Sequence, residues 1–470
     1  MKYTAVENET EKGNINKKAT MKNETEKGNL NKKEMKSKAK SAKVDISRKW
    51  YFAFVTVSII WRAFIHGHGV QTEAFKQQKK KGASLIIANH LTAFDFIYYA
   101  PNFVGRKTNM VVAENMKFSR PVFAKLMDGY HVITKKQNFA DFQCIKNIKR
   151  YLDAGISVFI CPEGKVSAEG RTGLIGDSIA RLIQWLGYPV TTVINSGSGL
   201  MRPKWAYNNR KVRVTTNCDV LFTAEQTKTL SKAEIYQKVK SALDHNEHEY
   251  QAQNKVVVHG KRYAEGLERL LYKCPKCGAE FAMKTSNDKL FCEACGNAVR
   301  YLLTGELAPT HNDDVSLGRI DYWCDMERSE VAEEVGNKDF CISNRVDLFK
   351  ENEKKNGYKY LSSGIVTLNR DTLSYDTTQL KRPVDVPAEY KIGGSIDVAM
   401  PETNQAMEAV EDEFKHLSFN VKNFVTVANI PGDSIDLYDD KHIYRLLFTD
   451  KKASTKYTFA IECINENCAI

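Results

Sequence analysis

Between residues 70 and 258, short apolar runs alternate with amphipathic stretches, and this alternation limits the fold more than any other feature of the 470-residue chain. Residues 84–88, 110–113, 158–161 and 190–194 are apolar runs of four or five, the length of buried strands and too short for helices. Between them, residues 141–154 carry Phe142, Ile145, Ile148 and Leu152 near one helical face and stop at Gly155. Residues 178–186 repeat the device with Ile179, Leu182, Ile183 and Leu186, stopped by Gly187. Strands separated by helices predict an α/β domain, a sheet covered by helices, over residues 69–262.

The flanking segments differ sharply in composition. Residues 8–18 (NETEKGNINKK) recur almost unchanged at 23–33, with hardly an apolar side chain, so residues 1–43 are expected to form a disordered basic tail. Of the net charge of +12, residues 1–49 hold +7, which favours a basic arm beside an anionic surface over a broad nucleic-acid-binding face. Residues 44–68 then turn apolar, with 12 residues from Trp50 to Trp61 interrupted only by Thr56 and Ser58. A bilayer crossing needs about 20 apolar residues. The run, bracketed by tryptophans and by Arg48, Lys49 and Arg62, suits a helix embedded in or lying at a membrane interface; an ordinary buried helix gives the same pattern.

Cys274-x2-Cys277 and Cys292-x2-Cys295, each followed by glycine, have the spacing of a closed tetrahedral site, and predict a structural Zn2+ in a ribbon over residues 263–300. With no stretch at the N-terminus patterned as a signal peptide and 11 cysteines in all, a reducing compartment is expected. The ribbon has no basic run interleaved with aromatics, so no nucleic acid is expected as partner. Residues 301–470 read as a β-rich domain, with strands at 340–349, 365–375, 416–427 and 435–448 and a closing helix at 454–464. Its outline faintly resembles a pleckstrin-homology or GRAM-like barrel.

Two motifs carry chemistry. His90 and Asp95 (H-x4-D) follow the apolar run at 84–88. On a regular helix positions five apart are about 140° apart, so the two side chains meet only if His90 lies in the turn and Asp95 in the first helical turn beyond it. Asp95 would then hold one ring nitrogen and leave the other as a base toward a hydroxyl. A histidine capping the helix with a first-turn aspartate is the plain structural alternative. The second motif, Cys161-Pro-Glu-Gly-Lys-Val-Ser167, follows another buried run, placing Glu163, Gly164 and the cations Lys165 and Arg171 at the carboxyl edge of the sheet, where α/β ligand sites lie.

NHLTAFD, GYHVITK, CPEGKVS and YPVTTVI resemble, in order and spacing, the four blocks of the phospholipid/glycerol acyltransferase family, which includes bacterial 1-acylglycerol-3-phosphate acyltransferases. The resemblance covers roughly residues 70–250. It implies that His90 and Asp95 are catalytic, that Gly129 opens and Lys135 supplies the phosphate-binding cation of the second block, and that Glu163 and Gly164 position the acceptor. Cys161, Lys165 and Val166 depart from the third block, whose arginine is absent at 166, leaving Lys165 or Arg171 to substitute. The stretches at 203–206 (PKWA) and 247–277 are similar to the tail of a Gram-positive subgroup that carries a zinc ribbon. The implied function is transfer of an acyl group from acyl-CoA or acyl carrier protein to a lysophospholipid acceptor at the cytoplasmic face of the membrane. An O-acyltransferase for another hydroxyl and a catalytically silent lipid-binding adaptor remain alternatives.

Overall fold

The apolar runs become neighbouring strands of one seven-stranded mixed sheet. β1 (His68–Gln71), β2 (Leu85–Ala88), β3 (Thr108–Ala113), β4 (Ile133–Lys135), β5 (Ser157–Ile160), β6 (Val190–Ser196) and β7 (Thr215–Phe222) lie in the order β1-β7-β6-β2-β5-β3-β4. The computed structural model describes residues 46–118, 121–136, 141–352, 357–379, 389–390, 414–424, 427–439 and 441–467, so the expected basic tail over 1–43 lies outside the described residues. β2 pairs in parallel with both β5 and β6, Ile87 opposite Ile160 and Ala88 opposite Val193. The carboxyl ends of three adjacent strands therefore open at one edge of the sheet, each with its own loop.

Nine helices accompany this sheet among the described residues: α1 (Arg48–Phe64), α2 (Glu73–Lys81), α3 (Asp95–Tyr99), α4 (Pro121–Tyr130), α5 (Phe142–Asp153), α6 (Ser178–Leu186), α7 (Ser198–Met201), α8 (Lys232–Leu243) and α9 (Glu247–Gln253), leaving aside one four-residue turn at 226–229. α5 and α6 cover the expected ranges almost residue for residue, and Gly187 ends α6 at φ +67°, a backbone geometry that glycine adopts at little cost. α1 buries Tyr51, Val55 and Ser58, and its Phe54 ring meets Phe96 of α3 and Tyr130 of α4. The opposite face is apolar and exposed, Phe52 at 64%, Ile60 at 63% and Phe64 at 75%. No helix of the described residues is long and apolar enough to cross a membrane.

The second half is built on two antiparallel sheets. β8 (Met283–Ser286), β9 (Lys289–Cys292), β10 (Ala298–Tyr301), β11 (Glu306–Pro309) and β12 (Gly318–Arg319) form a five-stranded sheet that carries the cysteine cluster and runs past the expected end at residue 300. After α10 (Ile320–Gly336) come β13 (Cys341–Asn352), β14 (Gly357–Asn369), β15 (Thr372–Gln379), β16 (Glu389–Tyr390), β17 (His416–Asn420), β18 (Ala428–Ile430), β19 (Ser434–Tyr438) and β20 (Ile443–Phe448), closed by α11 (Ala453–Asn467). This eight-stranded sheet is a half-barrel with order β17-β15-β14-β13-β20-β19-β18 and β16 beside β14. The expected strand over 416–427 stops at Asn420, whose side chain accepts from Lys422 N and starts a short 3-10 turn. One buried cluster runs from Trp205 through Leu271, Met283 and Trp323 to Leu446 and Ile461, so the five-stranded sheet, α10, half-barrel and α11 share a core with a tryptophan of the first half.

Candidate active site

The loop after β2 is shaped by one aspartate. Asp95 Oδ2 accepts from Leu91 N at 2.8 Å and Thr92 N at 3.0 Å, and Oδ1 accepts from the Thr92 hydroxyl at 3.0 Å and the Ser198 hydroxyl at 3.4 Å. These bonds fold the turn so that His90 Nδ1 lies 3.0 Å from Asp95 Oδ2, with the Asp95 side chain 2% exposed and His90 at 25%. The structure thus brings the H-x4-D pair together with His90 in the turn and Asp95 at the start of α3. With Nδ1 donating to a carboxylate, the other ring nitrogen is left able to take a proton.

Burial opposes a charged His90, but the Cys161 sulfur and the Asp95 carboxylate beside the ring prevail and hold its pKa well above the usual histidine value. Burial also pushes the Cys161 thiol up, against the neighbouring His90, which pulls it down. Cys161 leaves β5 next to this loop and its Sγ donates to Asn89 O at 3.9 Å. Asn89 itself exchanges two bonds with Asn195, Nδ2 to O at 2.8 Å and Oδ1 from N at 2.9 Å, locking the ends of β2 and β6.

Glu163 is engaged differently from the role assigned to it by resemblance. Its Oε1 accepts from His90 N and its Oε2 from Gly173 N, both at 2.8 Å, and it is 3% exposed. Burial pushes its carboxyl up to about 7, against the two N–H donors that pull it down. It staples the histidine turn to its own loop, with one backbone N–H on each oxygen. Gly164 sits at φ +69°, in the left-handed region, with open space where a Cβ would stand, so it serves the turn.

The expected phosphate cradle is not assembled. Lys165 forms an ion pair with Glu462 of α11. Arg171 binds Glu169, with Nη2 at 2.8 Å from Oε2, and Asp325 of α10. Arg328 of α10 binds Glu169 and, at 2.7 Å, Glu462, and its guanidinium lies 4.1 Å from the centre of the Phe459 ring. Burial alone would raise the Glu169 carboxyl, but Arg328, Arg171 and Lys165 hold it down at about 2. Both cations of the third block are therefore neutralised by carboxylates. Lys135 ends β4, three strands from β2, or about 14 Å at ordinary strand spacing, and its Nζ donates to Lys136 O at 2.9 Å. Gly129 is a packing position, because a Cβ there would lie 2.3 Å from Trp50 Cε2 of α1.

Several positioning residues carry no motif of their own. Glu247 of α9, fully buried, accepts twice from Gly197 N, at 2.8 and 2.9 Å, and meets His245 Nε2 at 3.0 Å, fixing the entry to α7 and with it Ser198. Lys204 sends Nζ to Val166 O at 3.0 Å and Asn429 Oδ1 at 3.3 Å, and burial pulls its ammonium down to about 7. The stretches 203–206 and 247–253 thus hold the third and fourth blocks in place.

The four cysteines converge. Cys274 Sγ lies 3.7 Å from Cys295 Sγ and Cys277 Sγ 3.8 Å from Cys292 Sγ, with all four sulfurs within 4.8 Å of one another. A tetrahedral ion with metal–sulfur bonds of about 2.3 Å separates its ligands by about 3.8 Å, so the set fits such an ion. Gly278 N donates to Cys274 O and Gly296 N to Cys292 O, each at 2.9 Å, with φ +72° and +77°, giving two matching knuckles.

Residues 69–196, which span β1 to β6 of the first sheet, match the family model described as Acyltransferase. Among solved structures the chain is similar to the 1-acyl-sn-glycerophosphate (LPA) acyltransferase, PlsC, from Thermotoga maritima, at 15% identity and a TM-score of 0.36, covering 43% of this chain and 80% of that one. No curated protein matches.

The ion cluster between the third block and α10–α11 generates a stability prediction. Glu462→Ala strands Lys165 away from water, leaves Arg328 with Glu169 alone, and is expected to cost about 3–5 kcal/mol, the usual penalty for breaking a buried pair. Urea unfolding of the full chain measures it, and a loss below about 1 kcal/mol means that the cluster is not a structural joint.

Proposed function

We propose that the protein is a glycerolipid acyltransferase that moves an acyl group from a thioester, acyl-CoA or acyl carrier protein, to the free hydroxyl of 1-acylglycerol-3-phosphate, giving phosphatidic acid. The observation that carries this reading is the His90–Asp95 contact at the carboxyl edge of an acyltransferase domain, beside a helix with an exposed apolar face. His90 takes the proton of the acceptor hydroxyl as its oxygen attacks the thioester carbonyl, and returns it to the departing thiolate. Asp95 fixes the ring. Transfer is direct. The spent cations Lys165 and Arg171 favour, as a second reading, an acceptor hydroxyl without phosphate, and assays with lysophosphatidate and with monoacylglycerol separate the two.

His90→Ala is expected to reduce transfer by about 10²–10⁴-fold without loss of fold. An imidazolium cannot accept a proton, so kcat/KM should climb as pH rises through the His90 ionisation, with a midpoint above 6.5, and Asp95→Asn should move that midpoint down. A pH profile without a limb that responds to Asp95 removes the histidine from the role of base.

The exposed face of α1 suits the boundary of a bilayer on its cytoplasmic side, where the lipid acceptor resides. Replacing Phe52, Ile60 and Phe64 together by glutamate should release the protein from sedimented phospholipid vesicles at high salt. Retention of the triple variant places the anchor elsewhere. The cysteine cluster is read as a structural Zn2+ site, since four protein ligands leave no position for water or substrate. Metal analysis should find one zinc per chain, and chelation should lower Tm; protein free of zinc after purification without chelator overturns the site.

A further inference from the structure

The reading above leaves a phosphorylated acceptor without its expected cations, and the structure offers another one. α7 begins at Ser198, whose hydroxyl touches Asp95, and one turn later the chain reaches Arg202, an exposed residue just beyond the segment matched by the acyltransferase family model. Its guanidinium lies over the ring of Phe94, 5.7 Å from the ring centre. Phe94 is part of the H-x4-D turn itself, immediately before Asp95. Among the described residues, no carboxylate pairs with Arg202, in contrast to Lys165 and Arg171.

We infer that Arg202 is the residue that binds the phosphate of the acceptor and so sets specificity for a phosphorylated glycerol; this rests on the acyltransferase reading given above. A guanidinium lying on an aromatic face keeps its N–H donors in its own plane, where they can form the bidentate pair that phosphate geometry suits. The backbone that carries it is fixed. Arg202 N donates to Ser198 O at 3.2 Å, Arg210 N donates to Met201 O at 2.9 Å, Lys204 is anchored on Val166 and Asn429, and the buried Trp205 ring lies 4.6 Å from the Arg210 guanidinium.

Tyr98 of α3 donates to Met201 Sδ at 3.6 Å, which ties the helix that begins at Asp95 to the residue before Arg202. A phosphate on Arg202 lies on the Phe94 side of the turn that carries His90 and Asp95. The departed arginine at 166 is thereby replaced from the loop after β6, on the other flank of β2.

The test compares the full-length enzyme with Arg202→Ala and Arg202→Lys in neutral detergent micelles, using lysophosphatidate and monoacylglycerol as acceptors. Arg202→Ala should raise KM for lysophosphatidate about tenfold or more, change kcat by less than about threefold, and leave KM for monoacylglycerol within about twofold; Arg202→Lys should recover part of the loss. Equal increases on both acceptors, or a rise in KM for acyl-CoA in place of the acceptor, overturn the inference. Binding of lysophosphatidate-doped micelles, measured without a donor, reads the same contact without turnover, and equal binding by Arg202→Ala and wild type also overturns it. Failure of wild type to acylate either acceptor, with binding still dependent on Arg202, defeats the acyltransferase reading and leaves the phosphate contact standing.

Discussion

The carboxylate of Glu163 is the contact on which the geometry of the site depends. It is buried, and it spends one oxygen on the backbone of His90 and the other on Gly173, so two loops that leave different strands are held at a fixed separation. An unsatisfied buried N–H costs about 1–3 kcal/mol, which makes each of these bonds a constraint on loop conformation. Asp95 works in the same way within its own turn, collecting two N–H groups and two hydroxyls before it meets the His90 ring. The His90 ring is therefore oriented by backbone donors gathered onto two acids, and Glu247 repeats the device at Gly197 behind Ser198.

The half-barrel is joined to this edge by charge as well as by apolar packing. Lys165, Glu169 and Arg171 of the third-block loop, Asp325 and Arg328 of α10 and Glu462 of α11 form one cluster in which each carboxylate meets at least one cation. Buried pairs add little net stability when complete and cost much when one member is removed. Their effect is to specify a single arrangement of the two halves. Trp205 adds an apolar link in the same joint, since it enters the core shared by the five-stranded sheet and the half-barrel.

Local patterns were legible where burial and periodicity agree. The runs at 84–88 and 190–194 become β2 and β6, and the faces of 141–154 and 178–186 become α5 and α6 with Ile148, Leu152, Ile179, Ile183 and Leu186 buried, whereas Phe142, at the first turn of α5, is exposed. α10 escaped because a buried acid interrupts its apolar stripe: Glu327 stands with Trp323, Cys324 and Val331 and accepts from Lys273 N at 2.9 Å. β7 escaped because its pattern is half exposed and broken by Asp219. His90 and Asp95 are five positions apart, and one turn suffices to join them. Glu462, the partner of Lys165, and Asp325, the second partner of Arg171 beside the local Glu169, lie 297 and 154 positions away, so a motif of cations beside a Pro-Glu-Gly turn reads as an anion site until the carboxylates of α10 and α11 are in view. Gly129 misled for a similar reason, its need for glycine coming from Trp50 and not from a ligand.

The valine at 166 fits this arrangement physically. Lys204 reaches the Val166 carbonyl, and burial, then the neighbouring Lys165, already pull its ammonium down to about 7. A guanidinium at 166 would add a cation to a space that already holds Lys204, Lys165 and Arg328, with Glu462 bonded to the last two. Like charges at such range in a buried setting repel by several kcal/mol at an effective dielectric of about 20. An apolar side chain at 166 and a lysine at 204 are therefore compatible with the joint to α11, whereas an arginine at 166 works against it. Attachment of the half-barrel and phosphate binding by the third block compete for the same cations, and Arg202, exposed at the head of the loop whose Lys204 and Trp205 reach that joint, is where a cation can face a ligand.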